Sequence, residues 1–218
     1  MLFKKILFWI LTFIFSFNTN SGDTFSVFKN IIDETDLVAK DIIYYNNADV
    51  VGRLKIDSIE LDVPVLQYAD NSYYLKHDEY GSENSNGSIF LDYRNSIEDD
   101  KKLLIFGHNS RNNDTEFNKL EKFVDPLFFN NDNNKKITLI TASRKKEYFI
   151  TSILIVDSTS KHMQLLYDEN EWKKHIDWIN NNNIYKDKLS YVDDILLLQT
   201  CYYKPEGSYL LVIAKSLN

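Results

Sequence analysis

The chain has 218 residues, 25 basic and 32 acidic, which gives a formal net charge of -7 and enough length for one domain with short appendages. Hydrophobic residues make up 44% and aromatic residues 14%, so a packed core is expected, and the acidic chain has no long basic run with which to bind nucleic acid. Its one cysteine, Cys201, excludes an internal disulfide and a cysteine-cluster metal site.

The first 22 residues have the form of an export signal. Lys4 and Lys5 precede an apolar run from Ile6 to Phe17, and a polar stretch follows. As a helix, this run covers only about 18 Å of a bilayer core of about 30 Å, which favours a cleaved signal peptide. No small-residue cleavage triplet follows, which favours an uncleaved signal anchor. We predict residues 1–22 as a signal anchor, with a signal peptide or a buried helix as alternatives, and expect a single-pass membrane protein whose remainder is extracellular.

Residues 23–46 are predicted as a helical lead-in, because apolar side chains recur near helical spacing there. Residues 47–218 then read as one domain built mainly of strands. The predicted strands are Val51–Ile56, Leu61–Pro64, Gly87–Leu91, Lys102–Phe106, Lys136–Thr141, Glu147–Val156, Ile195–Thr200 and Tyr209–Ala214. Eight short strands bounded by turn residues indicate a barrel or a sandwich.

Two helices interrupt the strands. A short one is predicted near Glu116–Phe123. A longer one opens at Asp168, which has capping spacing, and places Trp172, Ile176 and Ile179 on one face. The asparagine-rich stretches at 130–134 and 180–183 are interpreted as surface turns.

Two predicted strands end on reactive side chains. His108 closely follows Lys102–Phe106, and Cys201 follows Ile195–Thr200. Neighbouring strand ends can hold a thiol nucleophile and its acid or base at a fixed distance. Spacing alone is a weak signal, because a single cysteine at a strand end is more often an inert buried residue. The other histidines, His77, His162 and His175, have no acidic or cysteine partner at ligand spacing and are interpreted as structural.

Several motifs in one order make the signal more specific. They are Val51-Gly52-Arg53-Leu54-Lys55-Ile56, Leu61-Asp62-Val63-Pro64-Val65-Leu66-Gln67, Tyr73-Tyr74-Leu75-Lys76-His77, Phe90-Leu91-Asp92-Tyr93-Arg94-Asn95, Gly107-His108 and Gln199-Thr200-Cys201. From about Asn46 to Asn218 the chain resembles the sortases, and the two motifs that contain tyrosine, Tyr73–His77 and Phe90–Asn95, resemble class B in particular. The resemblance implies a closed eight-stranded β-barrel with N-terminal helices and a long helix before the last two strands. It also implies an extracellular, membrane-anchored cysteine transpeptidase that uses Cys201 and His108.

Two positions depart from the family pattern. A threonine of the motif that ends at Cys201 is replaced by Leu197, a change that a buried strand should tolerate. The arginine that leads the family's last strand is replaced by Tyr209. Lys215 lies six residues further along that strand, roughly 20 Å away, and cannot substitute. Loss of one oxyanion donor typically costs about 10²- to 10³-fold in rate, so a weak enzyme is predicted.

Four further residues are candidates for the oxyanion or substrate site. Tyr209 could donate a neutral hydrogen bond, and Lys204 could swing in from the loop after the cysteine. Thr200 precedes Cys201 in the motif. Arg94 is interpreted as bracing a carboxylate or a loop, with the peptide groove as the alternative.

The resemblance also implies a mechanism and partners. The thiolate would attack the threonine carbonyl of a sorting-signal peptide resembling Asn-Pro-Gln-Thr followed by Asn, Gly or Ser, and His108 would protonate the leaving amine. An amine of a cell-wall precursor or pilin subunit would resolve the thioester. The alternatives are a sortase-like domain that binds such peptides with weak or no turnover, and a hydrolytic thiol peptidase on the same barrel. No cofactor is expected. The acidic loops at Asp78, Glu79 and 92–100 leave a regulatory calcium site open.

Overall fold

Eight strands close into one barrel in the computed structural model, which describes residues 36–157, 161–164 and 168–217. The strands are β1 (Val50–Ile56), β2 (Leu61–Leu66), β3 (Phe90–Leu91), β4 (Lys102–Phe106), β5 (Lys136–Thr141), β6 (Lys145–Val156), β7 (Ile195–Tyr202) and β8 (Ser208–Ser216). Their order around the barrel is β1-β2-β3-β4-β7-β8-β6-β5, and β5 pairs with β1. The β2–β3 and β4–β7 pairs are parallel, and the others are antiparallel. The predicted closed eight-stranded barrel is confirmed.

Alternating side chains of the strands build two apolar clusters. Along β7, Leu196 and Leu198 belong to the cluster that fills the barrel. Ile195 and Leu197 belong to a second cluster on the outer surface, where helices pack against the sheet. Successive residues of a strand point to opposite faces, so a strand apolar at every position is buried on both. The uninterrupted apolar run of β7 follows from this double burial.

Three α-helices and several short 3-10 segments complete the described chain. Residues 36–45 form α1, Pro126–Phe129 form α2 and Glu169–Asn182 form α3. The Asp168 side chain caps α3 by accepting hydrogen bonds from the backbone N–H groups of Asn170 and Glu171. The helix predicted near Glu116–Phe123 is a 3-10 helix over Glu116–Val124, and its apolar residues close one end of the barrel core.

Several predicted boundaries change for identifiable reasons. Strand β3 is short because Gly87 has a φ of +58°, which breaks the extended backbone predicted there. Residues 180–182 were predicted as part of a turn but continue α3. The Asn180 side chain bonds both the N–H and the carbonyl of Leu189, and this anchors the last turn of the helix. The part of the helical lead-in before residue 36 lies outside the described residues.

The predicted single-pass membrane localisation needs correction. Among residues 36–157, 161–164 and 168–217, no helix is both long and apolar enough to cross a membrane. The 14-residue α3, for example, covers about 21 Å at 1.5 Å per residue, short of a bilayer core of about 30 Å. The membrane is therefore not supported as a partner either. The segment 1–22, on which the prediction rested, lies outside the described residues.

Candidate active site

Three adjacent strands bring His108, Cys201 and Tyr209 to one edge of the barrel. In the parallel β4–β7 pair, Phe106 lies beside Gln199, so the same register continued by two residues sets His108 beside Cys201. A hydrogen bond of 2.7 Å from the Thr200 hydroxyl to the Gly107 carbonyl extends the pairing past the ladder. In the antiparallel β7–β8 pair, Cys201 and Tyr209 are direct partners.

The Cys201 thiol is half-buried and protonated at rest. Burial raises its pKa above the ordinary value. No hydrogen bond joins it to His108 in the described structure, so the imidazole does not stabilise a thiolate here. Asn109 holds the backbone of this residue instead. Its side-chain amide donates to the Cys201 carbonyl at 3.0 Å and to the Glu121 carboxylate at 2.6 Å.

His108 is oriented by a backbone carbonyl. Its Nε2 lies 2.8 Å from the Leu75 oxygen, and a carbonyl can only accept, so Nε2 carries the proton and donates. In the neutral ring Nδ1 is then the basic nitrogen, free to take a proton from a thiol. Leu75 belongs to the Tyr-Tyr-Leu-x-His motif. That motif therefore contributes through its backbone to the tautomer of the histidine.

Two glycines near this histidine leave no room for a side chain. A Cβ on Gly87 would lie 2.5 Å from the Tyr74 oxygen and 3.0 Å from His108 Cδ2, and the positive φ of Gly87 is itself unfavourable for other residues. A Cβ on Gly107 would clash with Ile89 and lie 2.6 Å from a ring carbon of Phe117, and both residues belong to the cluster that fills the barrel. The glycine that precedes the histidine is thus required by packing.

The remaining candidates occupy different positions. Thr200 is buried on the opposite face of β7 from Cys201, and its hydroxyl is engaged by the Gly107 carbonyl. Tyr209 is half-buried against the outer cluster. Lys204 is exposed in the β7–β8 turn and lines a cavity of about 490 Å³ on the Asn109 side. Arg94 pairs with the buried carboxylate of Asp92 at 2.7 Å.

A buried polar cluster next to this site was not predicted from the sequence. Lys102, the first residue of β4, is 2% exposed, and its Nζ lies 3.1 Å from His175 Nε2. His162 Nε2 lies 2.7 Å from the side-chain oxygen of Gln199, which shares a strand face with Cys201. The sequence does carry a signal for the burial of Lys102. Side chains alternate between the two faces of a strand, and Lys102 lies on the same face as the buried Leu104.

Burial shifts the pKa of every titratable group in this cluster. It lowers the pKa of Lys102 to about 7, helped by the nearby Arg94 cation. It lowers the pKa of His162 to about 4 and that of His175 to about 2, and Lys102 contributes to both shifts. Both histidines are therefore neutral at physiological pH. The ring of His77 stacks on that of Tyr73, with the ring centroids 3.9 Å apart.

The acidic loops do not form a metal site within the described part of the chain. No group of three or more His, Cys, Asp or Glu residues is placed there to hold a metal ion. Asp92 is engaged by Arg94 and by the amide of Asn71, and Asp100 accepts from Asn95. These carboxylates therefore serve loop structure.

Comparison with known proteins agrees with this geometry. A family model described as the sortase domain matches residues 54–217. The chain belongs to the sortase family. Sortase B of Listeria monocytogenes serovar 1/2a is 32% identical over 164 residues, which span 71% of this chain and 63% of that protein. The relatives that it matches are class B sortases.

Solved structures show the same relationship. The crystal structure of Clostridium perfringens sortase B has a TM-score of 0.75 and 28% identity, and the match covers 83% of this chain and all of that one. A Staphylococcus aureus sortase B–substrate complex has a TM-score of 0.71 at 22% identity, covering 86% of this chain and 84% of that one. At 22% identity, the second match shows only that the fold is shared.

Proposed function

We propose that this protein is a cysteine transpeptidase that cleaves a sorting-signal peptide after threonine and transfers the acyl group to an amine. The observation that carries the proposal is the register of β4, β7 and β8, which sets His108 and Tyr209 on either side of Cys201. A thiol, an acid–base imidazole and a hydrogen-bond donor at one strand end are the groups that acyl transfer needs.

The first half-reaction forms a thioester. His108 Nδ1 takes the thiol proton, the Cys201 sulfur attacks the threonine carbonyl, and the carbonyl oxygen gains negative charge. As the oxyanion collapses, the C–N bond breaks and the imidazolium gives its proton to the leaving amine. The Leu75 carbonyl, which accepts from Nε2, stabilises the imidazolium between the two transfers.

The second half-reaction regenerates the thiol. The incoming amine attacks the thioester carbon while His108 removes its proton, and the C–S bond breaks when the new amide forms. The proton returns to the sulfur of Cys201. The family resemblance assigns this amine to a cell-wall precursor or a pilin subunit. The Staphylococcus aureus sortase B of this fold was solved as a substrate complex, which supports substrate binding by this fold.

A second candidate function is binding of sorting peptides with weak or no turnover. Two observations favour it: Tyr209 stands where the family has arginine, and the protonated Cys201 thiol has no hydrogen bond to His108. Apo active sites often lack hydrogen bonds that form only with substrate. The retained thiol and imidazole favour the transpeptidase.

Intact-mass measurement distinguishes these functions. The purified protein is mixed with an Asn-Pro-Gln-Thr-Asn peptide, with and without an added amine, and Cys201→Ala serves as the matched control. We expect a thioester adduct without the amine, a ligated product with it, and neither in Cys201→Ala. Peptide that binds without covalent change would support the binding domain, and cleavage without ligation would support a hydrolase.

A further inference from the structure

Two basic side chains, those of Lys102 and Arg94, donate to three successive backbone carbonyls in the connection between β6 and α3. Lys102 Nζ donates to the His162 oxygen at 2.5 Å and to the Gln164 oxygen at 2.7 Å. Arg94 Nη2 donates to the intervening Met163 oxygen at 3.0 Å. We propose that Lys102 and Arg94 are positioning residues that fix this backbone and, through it, the side chain of His162 beside the reactive cysteine.

The residues that the two basic side chains hold have no strand partner of their own. Residues 161–163 form a turn, yet His162 within it is fully buried. A turn gains no ladder hydrogen bonds, so its position depends on side-chain contacts from other elements. Charged donors make stronger hydrogen bonds to carbonyls than neutral ones do. Lys102 in turn depends on these carbonyls, because a buried amine that loses its acceptors is costly whether or not it is charged.

The held backbone places an imidazole against the candidate active site. His162 Nε2 donates to the Gln199 side chain at 2.7 Å, and the His162 ring centroid lies 6.5 Å from that of Tyr209. Gln199 is two residues before Cys201 on the same face of β7, and Tyr209 is the cross-strand partner of Cys201. His162 thus packs over the strand face on which the peptide must lie if Cys201 is to attack it.

The orientation of this imidazole has few other restraints. His162 Nδ1 is buried and has no hydrogen-bond partner among the described residues. Within the described residues, the Gln199 contact is therefore the hydrogen bond that orients the ring, and the 162–164 backbone sets where the ring packs. Removing either basic side chain should move the ring, and with it the surface beside Cys201. The expected effect on catalysis rests on the proposed function, whereas the positioning of the 162–164 backbone does not.

A matched pair of buried lysines tests the proposal. Lys102→Met keeps an unbranched side chain, one atom shorter, and removes the donors. Lys135→Met is the control, because Lys135 is 4% exposed and bridges Asp132 and Asp187 away from the candidate site. By hydrogen exchange with mass spectrometry, we expect residues 161–164 to exchange at least about 10-fold faster in Lys102→Met than in Lys135→Met. Equal protection of this segment in the two variants would overturn the proposal.

Kinetics with the sorting peptide supply a second, independent readout. We expect Lys102→Met to lower kcat/KM about 10-fold, mostly through KM, since a displaced groove surface weakens peptide binding. In a His162→Ala background, Lys102→Met should have little further effect, because the lysine acts through that histidine. Additive losses would contradict the proposal. If wild type forms no thioester, the proposed function fails while the exchange experiment still decides the role of Lys102.

Arg94→Lys covers the case in which Lys102→Met does not fold. This variant keeps a cation for the buried Asp92 carboxylate but loses the guanidinium fork that also reaches Met163. We expect faster exchange of the amides at 161–164 and a higher KM in a variant that still unfolds cooperatively. Unchanged exchange in Arg94→Lys would count against the proposal.

Discussion

The residue that most affects the expected activity is Tyr209. As the direct cross-strand partner of Cys201, it points to the same side of the sheet, with Cβ atoms about 4.5–5.5 Å apart in such pairs. A phenol at this place offers one neutral donor to a developing oxyanion, where the family's arginine offers several charged donors. The nearby exposed Lys204 lies on the Asn109 side of the β7–β8 turn.

Tyr209→Arg should therefore increase the rate of acylation. A charged donor beside the oxyanion is expected to raise the rate about 10- to 100-fold, on the order of 1.4 to 2.7 kcal/mol of transition-state stabilisation. Single-turnover acylation of one sorting peptide by wild type, Tyr209→Arg, Tyr209→Phe and Lys204→Ala measures this. A slower Tyr209→Arg together with a large loss in Lys204→Ala would show that Lys204 is the donor.

Gly87→Ala should impair His108 with little effect on the rest of the barrel. The new methyl group would lie 2.5 Å from the Tyr74 oxygen and 3.0 Å from the His108 ring, and the backbone φ of +58° is strained for alanine. We expect destabilisation of about 1–2 kcal/mol and at least a 10-fold loss of acylation rate. Gly81→Ala is the control. Gly81 also has a positive φ, but a Cβ there would meet nothing closer than the Tyr73 hydroxyl oxygen at 3.6 Å. Equal activity losses in the two variants would reject the specific role of Gly87.

At the scale of elements, strand register decides what the site contains. The parallel β4–β7 pair brings two motif residues together that are 93 positions apart, and the hydrogen bond from Thr200 to Gly107 keeps the strand ends in register. Helix α3 covers the outer face of the same strands and packs Trp172, Ile176 and Ile179 into the outer cluster. The reactive edge and the covering helix therefore share one sheet.

The cap of α3 should contribute measurably to stability. Asp168→Ala removes the two hydrogen bonds to the first turn and is expected to lower the free energy of unfolding by about 1 kcal/mol, whereas Asp168→Asn should cost much less. Urea denaturation of the two variants measures the difference. Equal losses for alanine and asparagine would show that capping is not the source of the effect.

At the scale of the whole molecule, buried titratable groups lie between the barrel and α3. Lys102, with a pKa near 7 in the folded protein and 10.5 when unfolded, binds fewer protons in the folded state between those values. The free energy of unfolding therefore rises with pH over that window. His162 and His175 act in the same direction at lower pH, because their pKa values fall from 6.5 to about 4 and about 2.

Lys102→Met should reduce the rise of the unfolding free energy with pH above about pH 7. Between pH 7 and 9.5, the unfolding free energy of wild type should rise relative to the variant by on the order of 3 kcal/mol, at about 1.4 kcal/mol per pH unit. Cys201 and the tyrosines are present in both proteins, so their titrations cancel in the comparison. Parallel profiles from urea titrations at each pH would contradict the assignment of this slope to Lys102.

The sequence alone determined the strand pattern, the closed barrel through its family resemblance, and the two strand ends that carry His108 and Cys201. Those features depend on side-chain alternation and on short motifs, which are local in the chain. Only the tertiary structure paired Lys102 with partners 60 and 73 positions away and placed Leu75 against the catalytic candidate His108. Those contacts depend on how distant segments pack. A buried lysine must form hydrogen bonds, and the acceptors within its reach are set by the fold and not by its neighbours in the sequence.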